Sequence, residues 1–207
     1  ALYAVHDDLQ EQSATRSRAD LEPRHLAEAP GGMSVDGAAL RYTGDDARHG
    51  WYIDFIHAAQ TGERSVHSPV LAGGKVLFNT VLPGRDACAR PATRLYALDV
   101  LSGFAADGAG LVQPGAVTGS VFDGLARAPP LVLEVGSSVG AVTAAGRAEG
   151  RKQLAVLQPG LPGTVNETSG AINAVKVVSA ALPARRISWR EVANWRELHE
   201  AAKKKVP

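Results

Sequence analysis

The chain has 207 residues, which is enough to bury one substantial core or two small ones. Its 45% hydrophobic content is typical of a globular protein, and it contains no run of about 18 uninterrupted apolar residues that could cross a bilayer. The 22 basic and 21 acidic residues leave a formal net charge of only +1. Because no global field would attract nucleic acid or an anionic membrane, we expect neither nucleic-acid binding nor membrane insertion.

The cysteine content and the number of turn-forming residues further restrict the structural class of the protein. The single cysteine, Cys88, excludes an intramolecular disulfide framework and any multi-cysteine zinc site. The 22 glycines and 12 prolines predict many turns, and so favour short strands joined by loops. Residues 1–6 read as the middle of a strand, with no initiator Met or signal segment before them, so we expect the native chain to begin further upstream.

The first quarter of the chain predicts little regular structure after its initial strand. Residues 10–49 are polar and lack a sustained strand period, which predicts a long connection. Within this connection we expect a short helix that starts near Asp20 and stops at Pro30-Gly31-Gly32.

The segment from Gly50 to Gly103 alternates strands with turns. Gly73-Gly74 lies between two apolar runs and predicts a hairpin. The strand-like runs are 51–56, 66–71, 75–82 and 94–99. Four strands in one up-and-down sheet are typical of a single β-propeller blade.

An internal repeat supports this interpretation. Leu2–Asp7 is similar to Leu95–Val100, and the two copies are 93 positions apart, about twice the usual blade length. Further strand-like runs lie at 128–135, 141–143 and 152–157. The prediction is a mainly β chain in which residues 1–187 form a partial β-propeller of antiparallel blades, too short to close a ring.

The C-terminal segment 188–207 predicts a helix with a basic tail. Ser188 and Glu191 have the spacing of a capping box, in which each residue satisfies an amide at the start of a helix. Apolar residues then recur at three- and four-residue steps, and the tail bears Lys203, Lys204 and Lys205. The residues of the apolar face are Val192, Trp195, Leu198, His199 and Ala202.

Motifs for catalysis or metal binding are weak. Gly136–Gly140 matches G-x-S-x-G, but the residues after it do not predict the helix that a hydrolase needs, so we interpret it as a hairpin loop. No pair of histidines has the spacing of a zinc motif. The histidines are His6, His25, His49, His57, His67 and His199.

The sequence also contains no recognisable calcium-binding loop. Ala106–Gly108 and Asp45-Asp46 do not have the alternating carboxylates that supply six or more oxygen ligands. Gly84–Asp86 and Asn166–Thr168 are interpreted as ordinary turn and loop segments. The larger aromatic residues are expected to pack in the core, and they are Trp51, Tyr52, Tyr96, Trp189 and Trp195. We therefore predict no catalytic, cofactor-binding or metal-binding residue in this segment.

Several short segments, in collinear order, resemble motifs of one family. They are Leu2–Leu9, Thr15–Leu21, Gly50–Asp54, Gly62–Arg64, Pro69–Leu71, Gly74–Val76, Leu82-Pro83, Asp86–Cys88, Leu95–Asp99 with Gly103, and Ser188–Glu191. Together they are similar to the C-terminal region of the PilC/PilY family, large type IV pilus biogenesis and tip-adhesin proteins. In Thr15–Leu21 two residues are inserted relative to the family's T-R-S-D-L segment.

The resemblance implies a fold and a function. It implies an incomplete, quinoprotein-like β-propeller from an exported bacterial protein at the pilus tip, cell surface or outer membrane. It also implies a non-enzymatic role in pilus assembly, twitching motility and adhesion, with pilins or minor pilins and a host or abiotic surface as partners. Family members often bear a calcium loop, which is not recognisable after Gly103 in this chain.

Two alternatives stay open. A fragment of a quinone-dependent propeller dehydrogenase would also show blade endings like Leu95–Gly103, although it would need a carboxylate cluster to hold calcium and the cofactor, and commonly a vicinal cysteine pair. A propeller scaffold for outer-membrane assembly would bind components of the barrel-assembly machinery instead of pilins.

Overall fold

The computed structural model describes residues 1–7, 15–56, 62–84, 88–106, 111–142, 148–158 and 176–182. The described part of the chain is mainly β, as predicted. Its strands are β1 Leu2–Val5, β2 Glu22–Ala29, β3 Gly32–Asp36, β4 Gly50–Ile53, β5 Arg64–Ser65, β6 Val70–Ala72, β7 Lys75–Leu82, β8 Ala92–Asp99, β9 Val117–Thr118, β10 Ser120–Asp123, β11 Leu131–Val142, β12 Ala148–Leu157 and β13 Lys176–Leu182. A short 3-10 helix spans Arg18–Asp20.

These strands form three sheets. The first has the order β1-β4-β2-β3-β9, the second has β10-β8-β7 with β5 and β6 on the outer side of β7, and the third has β11-β12-β13. The described pairs are antiparallel except β2 with β4, which is parallel. Between β9 and β10 the chain passes from the first sheet to the second at Gly119, where φ is +68°. The first two sheets thus curl around a shared interior as a half-barrel.

The central strands of the second sheet, β7 and β8, are buried on both faces. Tyr96 and Leu98 of β8 face the first sheet, whereas Leu95 and Ala97 face the third. The core shared with the first sheet includes Leu26, Met33, Val35, Trp51, Ile53, Phe55, Phe78, Tyr96, Leu98 and Phe104. The other core contains Leu77, Leu95, Ala97 and Val156. This double burial explains why residues 95–98 of β8 are consecutively apolar instead of alternating with polar residues.

A tight turn after β8 connects the first two sheets. Asp99 Oδ1 accepts hydrogen bonds from the Leu101 amide at 3.1 Å and the Ser102 amide at 2.8 Å. The Trp51 indole nitrogen donates to the Val100 carbonyl at 2.9 Å. Gly103 follows with φ +74°, and a Cβ there would lie 2.6 Å from the Trp51 ring. The indole of β4 therefore packs directly on this turn.

Within the long connection that the polar sequence predicts over 10–49, the described residues 15–49 include two strands, so they are not a continuous loop. β2 and β3 form a hairpin whose turn is Pro30-Gly31, and no helix starts at Asp20 beyond the Arg18–Asp20 turn. The signal was a period of two: Arg24 and Leu26 are buried, and the residues between and after them are exposed. The charged and small residues on the exposed face concealed this alternation.

The grouping of residues 50–103 into one sheet was also wrong. β4 pairs with β1 and β2 in the first sheet, whereas β7 and β8 belong to the second. The hairpin predicted at Gly73-Gly74 is confirmed, since it joins β6 to β7. The two copies of the internal repeat have different settings, because β1 lies at a sheet edge and β8 lies between β7 and β10.

Two predictions near the C-terminus have different outcomes. Gly136–Gly140 is part of β11 and pairs with β12, so it is not a hairpin loop. The strand continues through Val142 and does not turn into a helix at Ser138, as a hydrolase nucleophile would require. The helix and basic tail predicted over 188–207 lie outside the described residues.

We predict that Gly103→Ala destabilises the protein by about 3 kcal/mol or more. The new Cβ would add a positive-φ penalty of roughly 1 kcal/mol to a collision with a fully buried indole. Gly31→Ala is the matched control, because Gly31 has φ +84° and no atom beyond its own chain neighbours lies within 4 Å of the point that the new methyl group would occupy. It should cost only about 1 kcal/mol. Urea unfolding of both variants measures the difference, and equal losses would contradict the packing argument.

Candidate recognition surface

The exposed side of the first sheet presents an aromatic row. In the strand register, Tyr3 of β1 is opposite Tyr52 of β4, and Tyr52 is opposite Pro23 of β2. The Tyr3 and Tyr52 ring centroids are 5.9 Å apart. Since side chains alternate along a strand, Trp51 and Ile53 point to the core and Tyr52 points away from it. We call this side, defined by Tyr3, Pro23, Tyr52 and Asp54, the outer face.

Arg18 lies on the outer face. Its guanidinium carbon is 4.1 Å from the Tyr52 ring centroid, and Nη2 forms an ion pair with Asp54. Nη1 lies 3.5 Å from the Tyr3 hydroxyl. The interactions with Tyr52 and Asp54 raise the pKa of Arg18 above its usual value. The face thus combines two tyrosines with a charged pair held in one place.

The 3-10 turn positions Arg18. The Ser17 amide donates to Asp20 Oδ2 at 2.6 Å, and the Ser17 hydroxyl donates to the same oxygen at 2.9 Å. These bonds to the charged form lower the pKa of Asp20. Residues Thr15–Leu21, which resemble a family motif, thereby place a cation over the Gly50–Asp54 motif.

A groove of about 250 Å³ borders the outer face. The groove lies where β4 ends at Ile53 and the following residues diverge from β2. Its lining residues are Pro23, Arg24, His25, Leu26, Tyr52, Asp54 and Ile56. The groove lining therefore combines apolar side chains, one aromatic ring and the polar groups of Arg24, His25 and Asp54.

Beneath this surface, Arg24 links β2 to the turn after β8. Arg24 is 2% exposed, its Nε donates to the Ser102 carbonyl at 2.8 Å, and its guanidinium carbon lies 4.3 Å from the Phe104 ring centroid. Burial lowers the pKa of Arg24. A buried cation bound mainly to carbonyl oxygens and a ring is costly to desolvate, and it joins the two sheets at one point.

Glu63 forms a buried polar network at the edge of the core that the first two sheets share. Its side chain is fully buried and accepts from the Thr80 hydroxyl at 2.5 Å and the Tyr96 hydroxyl at 2.9 Å. Arg94 Nη1 forms an ion pair with it at 2.6 Å. Burial, followed by the nearby Glu63 charge, raises the pKa of Tyr96 far above its usual value. Thr80, Arg94 and Tyr96 all belong to the second sheet, so the network anchors the Gly62–Arg64 segment there.

The chemistry-bearing residues predicted from the sequence do not meet at one site. His6 packs against Tyr42 with ring centroids 4.8 Å apart, and His25 lines the groove. Asp45-Asp46 and Cys88 are exposed. In the described ranges, no group of three or more His, Cys, Asp or Glu residues is placed to hold a metal ion.

The expected core role is confirmed for two aromatic residues and wrong for a third. Trp51 and Tyr96 are fully buried, whereas Tyr52 lies on the outer face under Arg18. Several other predicted positions lie outside the described residues. These are His57, Arg85-Asp86, Asp107-Gly108, Asn166–Thr168, Trp189, Trp195 and His199.

Glu63→Gln should lower the free energy of unfolding by about 3–5 kcal/mol, because it removes the buried carboxylate charge with which Arg94 Nη1 forms its ion pair. Glu22→Gln is the control: Glu22 is 3.6 Å from Arg48, and the Arg48 side chain is about half exposed. Its loss should be below about 1 kcal/mol. Chemical denaturation of the two variants checks this, and a loss for Glu63→Gln as small as that for Glu22→Gln would contradict the network.

The raised pKa of Tyr96 predicts loss of stability in alkali. In the unfolded chain Tyr96 ionises around its ordinary pKa of 10.0, whereas the folded protein keeps the phenol neutral. The stabilisation that Tyr96 gives the folded protein by keeping its phenol neutral is complete below pH 10. As the pH rises above 10, this part of the free energy of unfolding declines by up to about 1.4 kcal/mol per pH unit. Tyr96→Phe should therefore show a shallower decline between pH 10 and 11, with slopes equal to wild type below pH 9. The free energy of unfolding of both proteins, measured against pH, checks this, and equal slopes for the variant and the wild type above pH 10 would contradict it.

Within the residues that the structure describes, no helix has the length and apolar character needed to span a membrane.

Comparison with known proteins gives one informative match. No family model matches the chain, and no solved structure matches it. A curated protein from Xylella fastidiosa (strain Temecula1), named a type IV pilus biogenesis factor PilY1 homolog, is 46% identical over 66 residues. The match covers 30% of this chain and only 4% of that much longer relative. Over this stretch, the chain is related to the PilY1 family.

Proposed function

We propose that this chain is part of a non-enzymatic type IV pilus assembly and tip-adhesin protein, and that it binds its partners through the outer face. The observation that carries the proposal is the 46% identity to a PilY1 homolog. That relationship supports a type IV pilus function at the level of the family. Pilus biogenesis, twitching motility and surface adhesion are the specific roles proposed.

The geometry of the outer face suits recognition. Trp51 and Ile53 are fully buried, so β4 is fixed from the core side while Tyr52 and Asp54 face outward. Tyrosine and arginine are enriched at protein interfaces, because they supply large contact area together with hydrogen bonds. Arg18 is already held by Tyr52 and Asp54, so little side-chain freedom is lost when a partner binds.

The proposed architecture is a partial, quinoprotein-like β-propeller over residues 1–187, followed by a helix and basic tail over 188–207. Its support is the stacking of sheets, since the second sheet packs on the first through one face and on the third through the other. Neighbouring propeller blades pack face to face in the same way.

The proposed location is the pilus tip or bacterial cell surface, with pilins or minor pilins and a host or abiotic surface as partners. The name of the PilY1 homolog supports an exported, cell-surface protein. The proposal includes no cofactor for this segment.

We predict that Tyr3→Ala combined with Arg18→Ala, in the native gene, reduces surface piliation or twitching severalfold at normal protein level. Tyr3 is 49% exposed and Arg18 is also at the surface, so the fold should tolerate both changes. The matched control is Val66→Ala combined with Leu71→Ala, two exposed residues on or beside the second sheet. Sheared pilin and twitching-zone diameter measure the effect.

Normal piliation and twitching in the outer-face variant, together with normal behaviour after deletion of the whole segment, would overturn the proposal. The dehydrogenase alternative is tested with purified protein, quinone cofactor, calcium, simple alcohols and a redox dye. Reproducible dye reduction above buffer would favour that enzyme. Capture of barrel-assembly components instead of pilins would favour the outer-membrane scaffold.

A further inference from the structure

The strand register leaves a notch in the first sheet. β4 pairs with β2 only from Glu22 to Arg24, and then the chain departs after Ile53. β2 continues, and its residues His25–Ala27 pair with β3 on the opposite side. On the side towards β4, His25–Ala27 have no strand partner in the described part of the chain.

The groove occupies this notch. His25 and Leu26 contribute to its β2 side, and Asp54 and Ile56 line it from the segment that follows β4. In an antiparallel pair, successive residues direct their N–H and C=O groups alternately towards the partner strand and away from it. Some main-chain groups of His25–Ala27 therefore point from β3 into the notch, where an additional strand could bind them.

The groove walls suit the side chains of such a strand. Ile56 is 59% exposed, and with Pro23 it offers apolar contact. His25 and Asp54 offer hydrogen-bonding groups, and the Tyr52 ring forms part of the lining. A strand projects alternate side chains to opposite faces, so one set would contact Ile56 and Tyr52 while the other faced the opposite side of the sheet.

We propose that this notch is a β-augmentation site, which binds an extended peptide segment of a partner protein alongside His25–Ala27 of β2. This main-chain edge, which none of the described strands covers, favours a peptide over a saccharide or a lipid surface, because only a peptide supplies regularly spaced N–H and C=O groups. The inference deepens the proposed function and rests on it only for the identity of the partner as a pilus protein.

The test uses the complete 207-residue chain and a phage-displayed library of random heptapeptides. We expect enriched peptides whose binding falls about tenfold or more when alternate peptide amides are N-methylated, since each methyl removes a main-chain donor. Ile56→Asp should weaken the same peptides about tenfold, whereas Leu71→Asp, at a residue 67% exposed on β6, should leave binding within about twofold. If no peptide is enriched, or if binding is insensitive to both N-methylation and Ile56→Asp, the proposed β-augmentation site is overturned.

Hydrogen–deuterium exchange on the wild-type chain makes the test independent of variant folding. Bound peptide should slow exchange of amides within 25–27, and unchanged exchange there would count against the site. Purified soluble domains of pilins and minor pilins form a second arm. If peptides bind the notch but no pilin binds, the β-augmentation site is supported and the proposal of a pilin as its partner is overturned. If pilins bind without protecting 25–27, the proposed function stands and the notch is overturned.

Discussion

The packing of the Trp51 indole on the Gly103 turn is the contact on which the arrangement of the first two sheets depends. It places a large buried side chain of β4 against the end of β8, and its nitrogen donates to the Val100 carbonyl. Only a glycine leaves room for the ring at that positive φ. Because Trp51 is held inward, its neighbour Tyr52 must face outward, and the outer face follows from that alternation.

The buried Glu63–Arg94 pair and the buried Arg24 both link distant strands of this arrangement, but their charges are compensated in different ways. Glu63 has its counter-charge in Arg94 and two hydroxyl donors, so its desolvation is largely offset. Arg24 has carbonyl oxygens and the Phe104 ring instead. Both are strongly position-specific interactions, since they are favourable only when strands distant in sequence reach one place. They therefore favour a single register over alternative sheet pairings.

Sequence patterns located many turns but did not group the strands. The Gly73-Gly74 hairpin followed from local turn chemistry, and it was predicted correctly. The hairpin of β2 and β3 was missed because only Leu26, Met33 and Val35 mark its buried face with aliphatic side chains, and Arg24 takes a core position. The outer face was missed for another reason: Arg18 and Asp54 are 36 residues apart, so no local period relates them.

By itself, the sequence determined the mainly β class, the sites of several turns and the similarity of 66 residues to a PilY1 homolog, because these depend on composition, on neighbouring residues and on direct identity. Only the tertiary structure decided which strands share a sheet, which face Tyr52 occupies, and that Glu63 meets Arg94. Each of these outcomes depends on pairing between distant segments. Such pairing is selected by the fit of whole sheets around a common core, a property that no short stretch of sequence contains.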